Sequence, residues 1–402
     1  MKRKVSIISY YFPPEGGPAV QRISKFIKYL YVFGFESVVI TSRHRVKIFD
    51  ESLLKDVSDV KRIYRIIDLG FILGKKIVRL FLRDKYIDQH QFWNYLVMLK
   101  IKKILKENKI DLIFSTTPPH SSNLLAYKIS QKYLIPWIAD FRDEWTFDPN
   151  FNRNNKAIID IERNILSKTS AITTVTKKAQ NNFASIIDDP SKTFCIYNGY
   201  DVDDYKHIPE VESVNDKKLK IIYTGRFTKK SSPTELFDGL VKLRKSEKID
   251  FSNIDFNVVG QEGNKKWLAK YAELKSEIRF TKYQPHNISI RMLAESDVLL
   301  LLASNTPQSE VFTGKIFEYI YLRKPILAII RFRGELSEWL KEYGTVYIGI
   351  ENENGSVEKT ITNVYNDFIK GELNKNVNEK FVYKYDRKTL TESLSKIFNK
   401  VL

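Results

Sequence analysis

The chain of 402 residues is long enough for two domains that each bury a core. Its one cysteine, Cys195, excludes an internal disulfide and a Cys-built metal site, and it fits a reducing, cytoplasmic setting. A net charge of +18 at pH 7 points to an anionic partner, with a membrane surface or a nucleic acid as the two classes to weigh.

Residues 4–11 form an Ile- and Val-rich apolar run and read as a buried parallel strand. Pro13-Pro14-Glu15 cuts that run short and no small-residue cleavage site follows, so a secretory leader is not expected. No apolar run approaches the roughly 20 residues of a membrane-spanning helix. After the loop at 13–18, Val20, Ile23, Phe26, Ile27 and Leu30 fall at helical spacing, with a stop near Gly34 and a strand at 37–41. Residues 61–109 then carry thirteen Lys/Arg against four Asp/Glu, a net of +9 and half the charge of the chain. Lys75, Lys76, Arg79 and Arg83 are expected on one helical face, with Leu73, Ile77, Leu80 and Phe81 on another. A basic amphipathic helix of this kind suits an anionic membrane surface; a plain exposed helix is the other reading. Helices are expected at 93–105, ending near Tyr133, and at 158–166, with strands at 112–115, 136–141, 171–175 and 193–197.

The pattern restarts after a polar stretch, 207–218, that reads as a linker. Strands at 219–223, 257–259, 278–280, 298–302 and 326–330 alternate with helices, and 386–398 is a last amphipathic helix. Such alternation implies an α/β chain with two Rossmann-like, doubly wound parallel sheets facing across a cleft. The expected divisions are 1–206, 207–385 and a terminal helix at 386–402 that crosses back onto the first domain.

Ligands of such sheets sit beyond the carboxyl ends of the strands, so the loops there are the candidate site. Gly16 and Gly17 let backbone approach a phosphate ahead of a helix N-terminus, although Gly-Gly also serves as a plain turn. Neither a G-x-G-x-x-G fingerprint nor a Walker A sequence occurs. Asp140, Arg142 and Asp143 end a strand with charges suited to orienting or deprotonating a hydroxyl, and Trp145 offers a ring to stack on. An internal Arg–Asp ion pair holding the loop is the alternative. Arg226 and Lys230 are placed to clamp a diphosphate and stabilise it as a leaving group. Thr313, Gly314 and Lys315 open a helix after the strand at 298–302, offering N–H groups and a point charge to a phosphate. Glu318, one turn on, would accept hydrogen bonds from sugar hydroxyls; solvated Lys315 and Glu318 on an ordinary helix start are the alternative. Of five histidines only His120 lies in a post-strand loop, where substrate contact is expected, and none has metal-ligand spacing. Asp201-Val202-Asp203-Asp204 has a D-x-D form, but beside the Asn198-Gly199 turn a structural role is expected.

In this order the motifs resemble those of the retaining nucleotide-sugar glycosyltransferases of family four, glycosyl transferases group 1, with the GT-B fold. Tyr11 to Gly17 with Gln21-Arg22 is similar to the family's N-terminal loop near the transferred group. Pro119-His120 and Pro136 to Trp145 resemble its acceptor-side loops, and Tyr197 to Asp201 its interdomain turn. Tyr223 to Arg226 with Lys230 resembles its diphosphate clamp, and Phe317-Glu318-Tyr319 with Lys324-Pro325 the end of its paired-glutamate motif. Two departures stand out. The first glutamate of the pair would fall at position 311, which is Val311, with Glu310 one step away. Many members carry His-Asp where this chain has Arg142-Asp143.

The resemblance implies transfer of a hexosyl-type sugar from a nucleoside diphosphate sugar, with a UDP-sugar favoured, to an acceptor hydroxyl with retention. It implies no cofactor and no metal, and catalytic roles for Asp140, Arg142, Asp143, Arg226 and Lys230. Gly16, Gly17, Thr313, Gly314, Lys315 and Glu318 join Arg226 and Lys230 in donor binding, while His120 and Trp145 face the acceptor. With the basic segment, it suggests a peripheral enzyme on the inner face of the cytoplasmic membrane, acting on a lipid-linked glycan of surface polysaccharide synthesis. A sugar-nucleotide epimerase of the same fold is the alternative. A nucleic-acid-binding protein is the remote one, since the charge clusters with apolar residues rather than tracking a groove.

Overall fold

The structure, a computed structural model, describes residues 2–43, 49–148, 151, 155–206, 218–229, 231–260, 265–305, 310, 312–373 and 375–402. Lys230, Val311 and nearly all of the expected linker lie outside the described residues. The chain divides into two compact units, Met1–Asn198 with Arg387–Leu402, and Gly199–Asp386.

The first unit runs β1 (Arg3–Ser9), α1 (Pro18–Leu30), β2 (Phe35–Arg43), β3 (Arg62–Ile67), α2 (Leu69–Leu73), α3 (Lys75–Leu82), α4 (Gln91–Asn108), β4 (Leu112–Thr117), α5 (Ser121–Tyr133), β5 (Trp137–Phe141), α6 (Lys156–Ser167), β6 (Ala171–Thr174), α7 (Lys177–Ala184) and β7 (Thr193–Cys195). Its seven strands lie in the order β3-β2-β1-β4-β5-β6-β7. The second unit runs β8 (Leu219–Thr224), α8 (Thr234–Lys245), β9 (Ile254–Val259), α9 (Lys265–Lys270), β10 (Ile278–Thr281), α10 (His286–Ala294), β11 (Val298–Ala303), α11 (Gly314–Leu322), β12 (Ile326–Ile330), α12 (Glu335–Tyr343), β13 (Val346–Ile350), α13 (Ser356–Ile369) and α14 (Glu379–Tyr383). Its six strands lie in the order β10-β9-β8-β11-β12-β13. The strand pairs of both sheets are parallel. A last helix, α15 (Arg387–Val401), belongs to the first unit.

These are two Rossmann-like sheets, and the central strands show why. β4, β11 and β12 are buried along their whole length, which suits strands covered by helices on both faces. In β1 the side chains alternate: Ile7 joins a core with α1 and α15, while Ile8 joins the opposite core with α4 and α5. α15 carries Leu390, Leu394, Ile397 and Phe398 on one helical stripe against that first core. The Phe398 ring lies 5.2 Å from Phe35 and 5.4 Å from Phe114.

The basic segment departs from a single amphipathic helix. Gly74, at φ +82°, separates α2 from α3, so Leu73 belongs to the first piece. Arg83, at φ 46°, leaves the helix after Leu82, so it does not continue the face of Lys75, Lys76 and Arg79. The exposed apolar residues are nonetheless concentrated here: Ile72 is 68% exposed, Leu80 72% and Phe81 71%. α2 is anchored by Asp68, which accepts from Gly70 N–H, the Tyr10 hydroxyl and His90 Nδ1, each at 2.7 Å. No helix of the described residues is long and apolar enough to cross a membrane.

Phe398→Ala should cost about 3–5 kcal/mol in chemical denaturation, because it empties a fully buried site against the sheet. An exposed position such as Lys396→Ala should change stability by less than about 0.5 kcal/mol.

Candidate functional site

Each sheet reverses its winding once, between β1 and β4 in the first unit and between β8 and β11 in the second. Strands on the two sides of such a point send their chains to opposite faces, which opens a crevice above their carboxyl ends.

In the second unit, β8 and β11 are in register at Ile221 with Val298 and at Ile222 with Leu299. Beyond those rungs the phenol of Tyr319, from α11, donates to the Leu300 carbonyl at 3.1 Å and is also hydrogen-bonded with Thr224. Complete burial pushes this phenol above its ordinary range, so it stays neutral. Tyr319 thus fixes α11 to both strands, with the N-terminus of the helix at the reversal point. The N-cap Thr313 is extended and caps nothing, and its hydroxyl is buried without a hydrogen-bond partner. The opening N–H groups of α11 therefore lack a side-chain cap, and a helix start in that condition favours an anion.

Lys315 lies beside this start, its ammonium 4.2 Å from the centroid of the Tyr223 ring. It covers Gly225, which sits at φ +117°; a Cβ there would run into the lysine. The exposed Arg226 follows, its carbonyl fixed by the Tyr223 and Ser231 hydroxyls at 3.2 Å each. Glu318 Oε1 is 2.9 Å from Nε2 of His286, the first residue of α10. The fold therefore sets Gly225, which precedes Arg226, against Lys315 at the start of α11, with Thr313, Gly314 and Glu318 on the first turns of the same helix. Lys230 is outside the described residues.

Glu310 is engaged elsewhere. Its carboxylate accepts from the N–H groups of Glu335 at 2.9 Å and Leu336 at 3.4 Å, and from Asn305 Nδ2 at 3.2 Å, so it caps α12. Burial raises its pKa, against the lowering effect of those hydrogen bonds. Gly334 packs beneath it, where a Cβ would strike the carboxylate.

In the first unit the loop after β1 ends at the half-buried Gly16 and at Gly17, which caps α1 at φ +109° with open space where a Cβ would project. Asp140, at the end of β5, is held entirely within the protein. Arg22 of α1 grips it with Nη2 at 2.9 Å and Nε at 3.3 Å, and the hydroxyls of Thr116 and Thr173 donate to it at 2.8 Å each. Burial alone would raise the Asp140 pKa, but Arg22 and the two threonines outweigh it and hold the carboxyl below its ordinary range. Arg22 also donates to the Tyr197 carbonyl at 2.9 Å. The internal ion pair of this loop thus forms with Arg22 rather than Arg142. Arg142 reaches back to the carbonyls of Thr117, at 2.6 Å, and Pro118, at 3.0 Å, and burial lowers it to about 10. Asp143 is exposed.

His120 stacks on Trp145 with ring centroids 4.9 Å apart and planes within 7°. Burial lowers its pKa to about 4, so the ring is neutral near pH 7, and its Nδ1 is buried without a partner. The D-x-D segment has the local role expected of it: Asp201 Oδ1 accepts from the Asp203 N–H at 3.1 Å. Among the described residues, no group of three His, Cys, Asp or Glu side chains is placed to hold a metal ion.

Sequence reasoning did not single out His286 or Asn305, and quoted Arg22 and Tyr319 only within motifs. For Arg22 the available signal is an arginine amid the apolar positions of α1. Tyr319 and His286 pair with Leu300 and Glu318, 19 and 32 residues away, and Asn305 joins the nearby Glu310 to the distant Phe332 carbonyl, so none carries a local signature.

Residues 19–204 match the model of the family described as Glycosyltransferase Family 4, and residues 204–381 that of Glycosyl transferases group 1. A search of curated protein sequences returns no significant match. By fold the chain is similar to Alr3699/HepE of Anabaena in complex with UDP and glucose (15% identity, 100% of both chains, TM-score 0.68). It is similar also to a glycosyltransferase from Rickettsia africae (15% identity, 100% of this chain and 98% of that one, TM-score 0.71). The UDP-GlcNAc 2-epimerase of Methanocaldococcus jannaschii has the same fold (16% identity, 99% of both chains, TM-score 0.60).

Arg22→Ala should destabilise the chain by about 3–5 kcal/mol in urea denaturation, since it leaves the Asp140 charge buried and unpaired. Because the Asp140 pKa is depressed, its stabilising contribution is present at neutral pH and disappears as pH falls below the ordinary carboxylate range. Asp140→Asn should accordingly flatten the acid limb of the stability curve.

Proposed function

We propose, from glycosyltransferase homology that spans residues 19–381, that this chain transfers a sugar from a nucleoside diphosphate sugar to an acceptor hydroxyl. The observation that carries the reading is the start of α11: an uncapped helix N-terminus and an orphaned Thr313 hydroxyl beside the Lys315 ammonium, with Glu318 one turn further in. This combination suits a diphosphate attached to a ribose. Gly314, Lys315 and Thr313 take the phosphates, Arg226 and Lys230 add charge, and Glu318 accepts from the ribose hydroxyls. UDP is the favoured nucleotide, in keeping with the UDP bound by HepE.

In this reading, transfer proceeds with retention of configuration. The bond from the anomeric carbon to the diphosphate oxygen breaks as the bond to the acceptor oxygen forms. The acceptor's proton passes to the departing phosphate. The second unit stabilises the charge that develops on that phosphate, and positioning supplies the rest of the rate. The first unit receives the acceptor along the loops after β4 and β5, with His120, Trp145, Arg142 and Asp143 as contacts and Gly16 and Gly17 near the transferred group. Asp140 acts through Arg22 by holding α1 and the β5 loop in place. Glu310, being the cap of α12, is not given the role of a donor-sugar ligand.

The acceptor is proposed to be a lipid-linked glycan at the inner face of the cytoplasmic membrane, in a surface polysaccharide pathway. Exposed Ile72, Leu80 and Phe81 beside Lys75, Lys76 and Arg79 support docking of α2 and α3 on an anionic bilayer. The epimerase likeness is one of fold, and product analysis separates the two activities: an epimerase changes the free sugar nucleotide with no acceptor present.

Thermal-shift screening tests the nucleotide site. A UDP-sugar at about 100 times its Kd should stabilise the protein by about 2.7 kcal/mol. Arg226→Ala and Glu318→Ala should lose most of that shift; a wild-type response in both would remove the site. Vesicle co-sedimentation tests the surface. Lys75→Gln, Lys76→Gln and Arg79→Gln together should weaken binding to anionic vesicles roughly 100-fold, at about 1 kcal/mol per cation. Equal binding of wild type to neutral and anionic vesicles would contradict the electrostatic part.

A further inference from the structure

The Glu318 side chain, one turn into α11, has a single hydrogen-bond partner among the described residues: the His286 ring, at 2.9 Å. A carboxylate has no hydrogen to give, so the imidazole carries one on Nε2 and donates it to Oε1. The other oxygen, Oε2, is bonded to none of the described residues. The Glu318 side chain is 23% exposed, so a ligand can reach the carboxylate. His286 opens α10 and Gly314 opens α11; both helices follow strands of one parallel sheet and begin at its carboxyl edge.

Stability alone does not explain this pair. The N-cap of α10, Pro285, makes no side-chain cap bond, and a helix start favours an acidic side chain over a histidine. With the His286 ring 41% exposed, the pair is also worth little as a salt bridge. What the contact does is hold one side chain still. A glutamate has several rotamers, and a ligand that must order it binds more weakly as a result. Here α10 holds the Glu318 carboxylate, while the adjacent Tyr319 ties α11 to β8 and β11. The carboxylate is therefore fixed from two directions, by its backbone and by one of its oxygens.

We propose that His286 is a positioning residue for the nucleotide: by donating to Oε1 it presents Oε2 of Glu318 to the ribose hydroxyls, and so sets a preference for ribonucleotides over deoxyribonucleotides. This rests on the reading of the α11 start as a nucleotide site given above. The role is exerted through Glu318, not by direct contact with the phosphates. A hydrogen bond to a charged group that only the ribose form can make should favour that form by roughly 10- to 100-fold.

The test is titration calorimetry with UDP and GDP and with the dideoxy form of each, which lacks both ribose hydroxyls. Wild type should prefer the ribose form by the margin above, and Glu318→Ala should abolish the preference. His286→Leu should lose most of it through weaker binding of the ribose form, with binding of the dideoxy form unchanged. His286→Gln, whose side-chain amide can donate in place of Nε2, should restore it. Adding His286→Leu to Glu318→Ala should change nothing further, because the ring acts through that carboxylate. A His286→Leu protein that keeps the wild-type preference overturns the proposal. Equal loss of both forms in His286→Leu also overturns it, since a role in folding or in holding the base or phosphates would do that. Wild-type binding without a ribose preference removes the ribose from Glu318 and the proposal with it. Wild type that binds neither UDP nor GDP discards the nucleotide reading itself, whereas binding with an unaltered His286→Leu preference discards this inference alone.

Discussion

A parallel sheet that winds in both directions must somewhere send two neighbouring strands to opposite faces, and past that point their carboxyl ends have no helix lying across them. Nearly everything chemically distinctive in this chain follows from that constraint. In the second unit Tyr319 ties β8, β11 and α11 together, so the helix starts where the strands part. The sequence there then withholds the usual cap. Thr313 is a good N-cap residue in general, yet its hydroxyl is left unused, and the cation Lys315 is laid over a glycine and a tyrosine face. A helix start with open donors and a fixed cation is stable in water and strongly favourable toward an anion.

The first unit handles charge in the opposite way. Asp140 is held below its ordinary range by Arg22 and two threonines, and its polar atoms are used inside the fold. Buried pairs of this kind contribute more to a fixed arrangement than to net stability, because desolvation offsets much of the attraction. What they fix here is the entry of α1 and the exit of β5, from which Trp145 and the exposed Asp143 project, Trp145 stacking on His120 of the loop after β4.

Much of the fold is legible in the sequence, because buried parallel strands write themselves as short Ile, Val and Leu runs at regular intervals. β12 is anticipated at both ends, while β3 and β13 are not anticipated at all. Both are edge strands, covered by a neighbour on one side only, and their mixed sequences lack a continuous apolar run. The break at Gly74 is local and still escapes notice, since apolar periodicity carries across it. The candidate site divides along similar lines. Residues that act through the backbone of their own loop, such as Gly17, Gly225 and Thr313, are legible from position. Side chains whose role depends on a distant partner are not: Asp140 finds Arg22 and Glu318 finds His286 only after the chain folds. Glu310 is instructive for the same reason, since its proximity to the expected first glutamate hides its engagement with α12.

The central claim is that the diphosphate of a sugar nucleotide sits at the start of α11. A crystal structure with bound UDP tests it most directly. The account predicts the diphosphate within hydrogen-bond distance of the Gly314 and Lys315 N–H groups, with the ribose hydroxyls on Glu318. UDP bound away from α11, with Glu318 still paired to His286 alone, would contradict it.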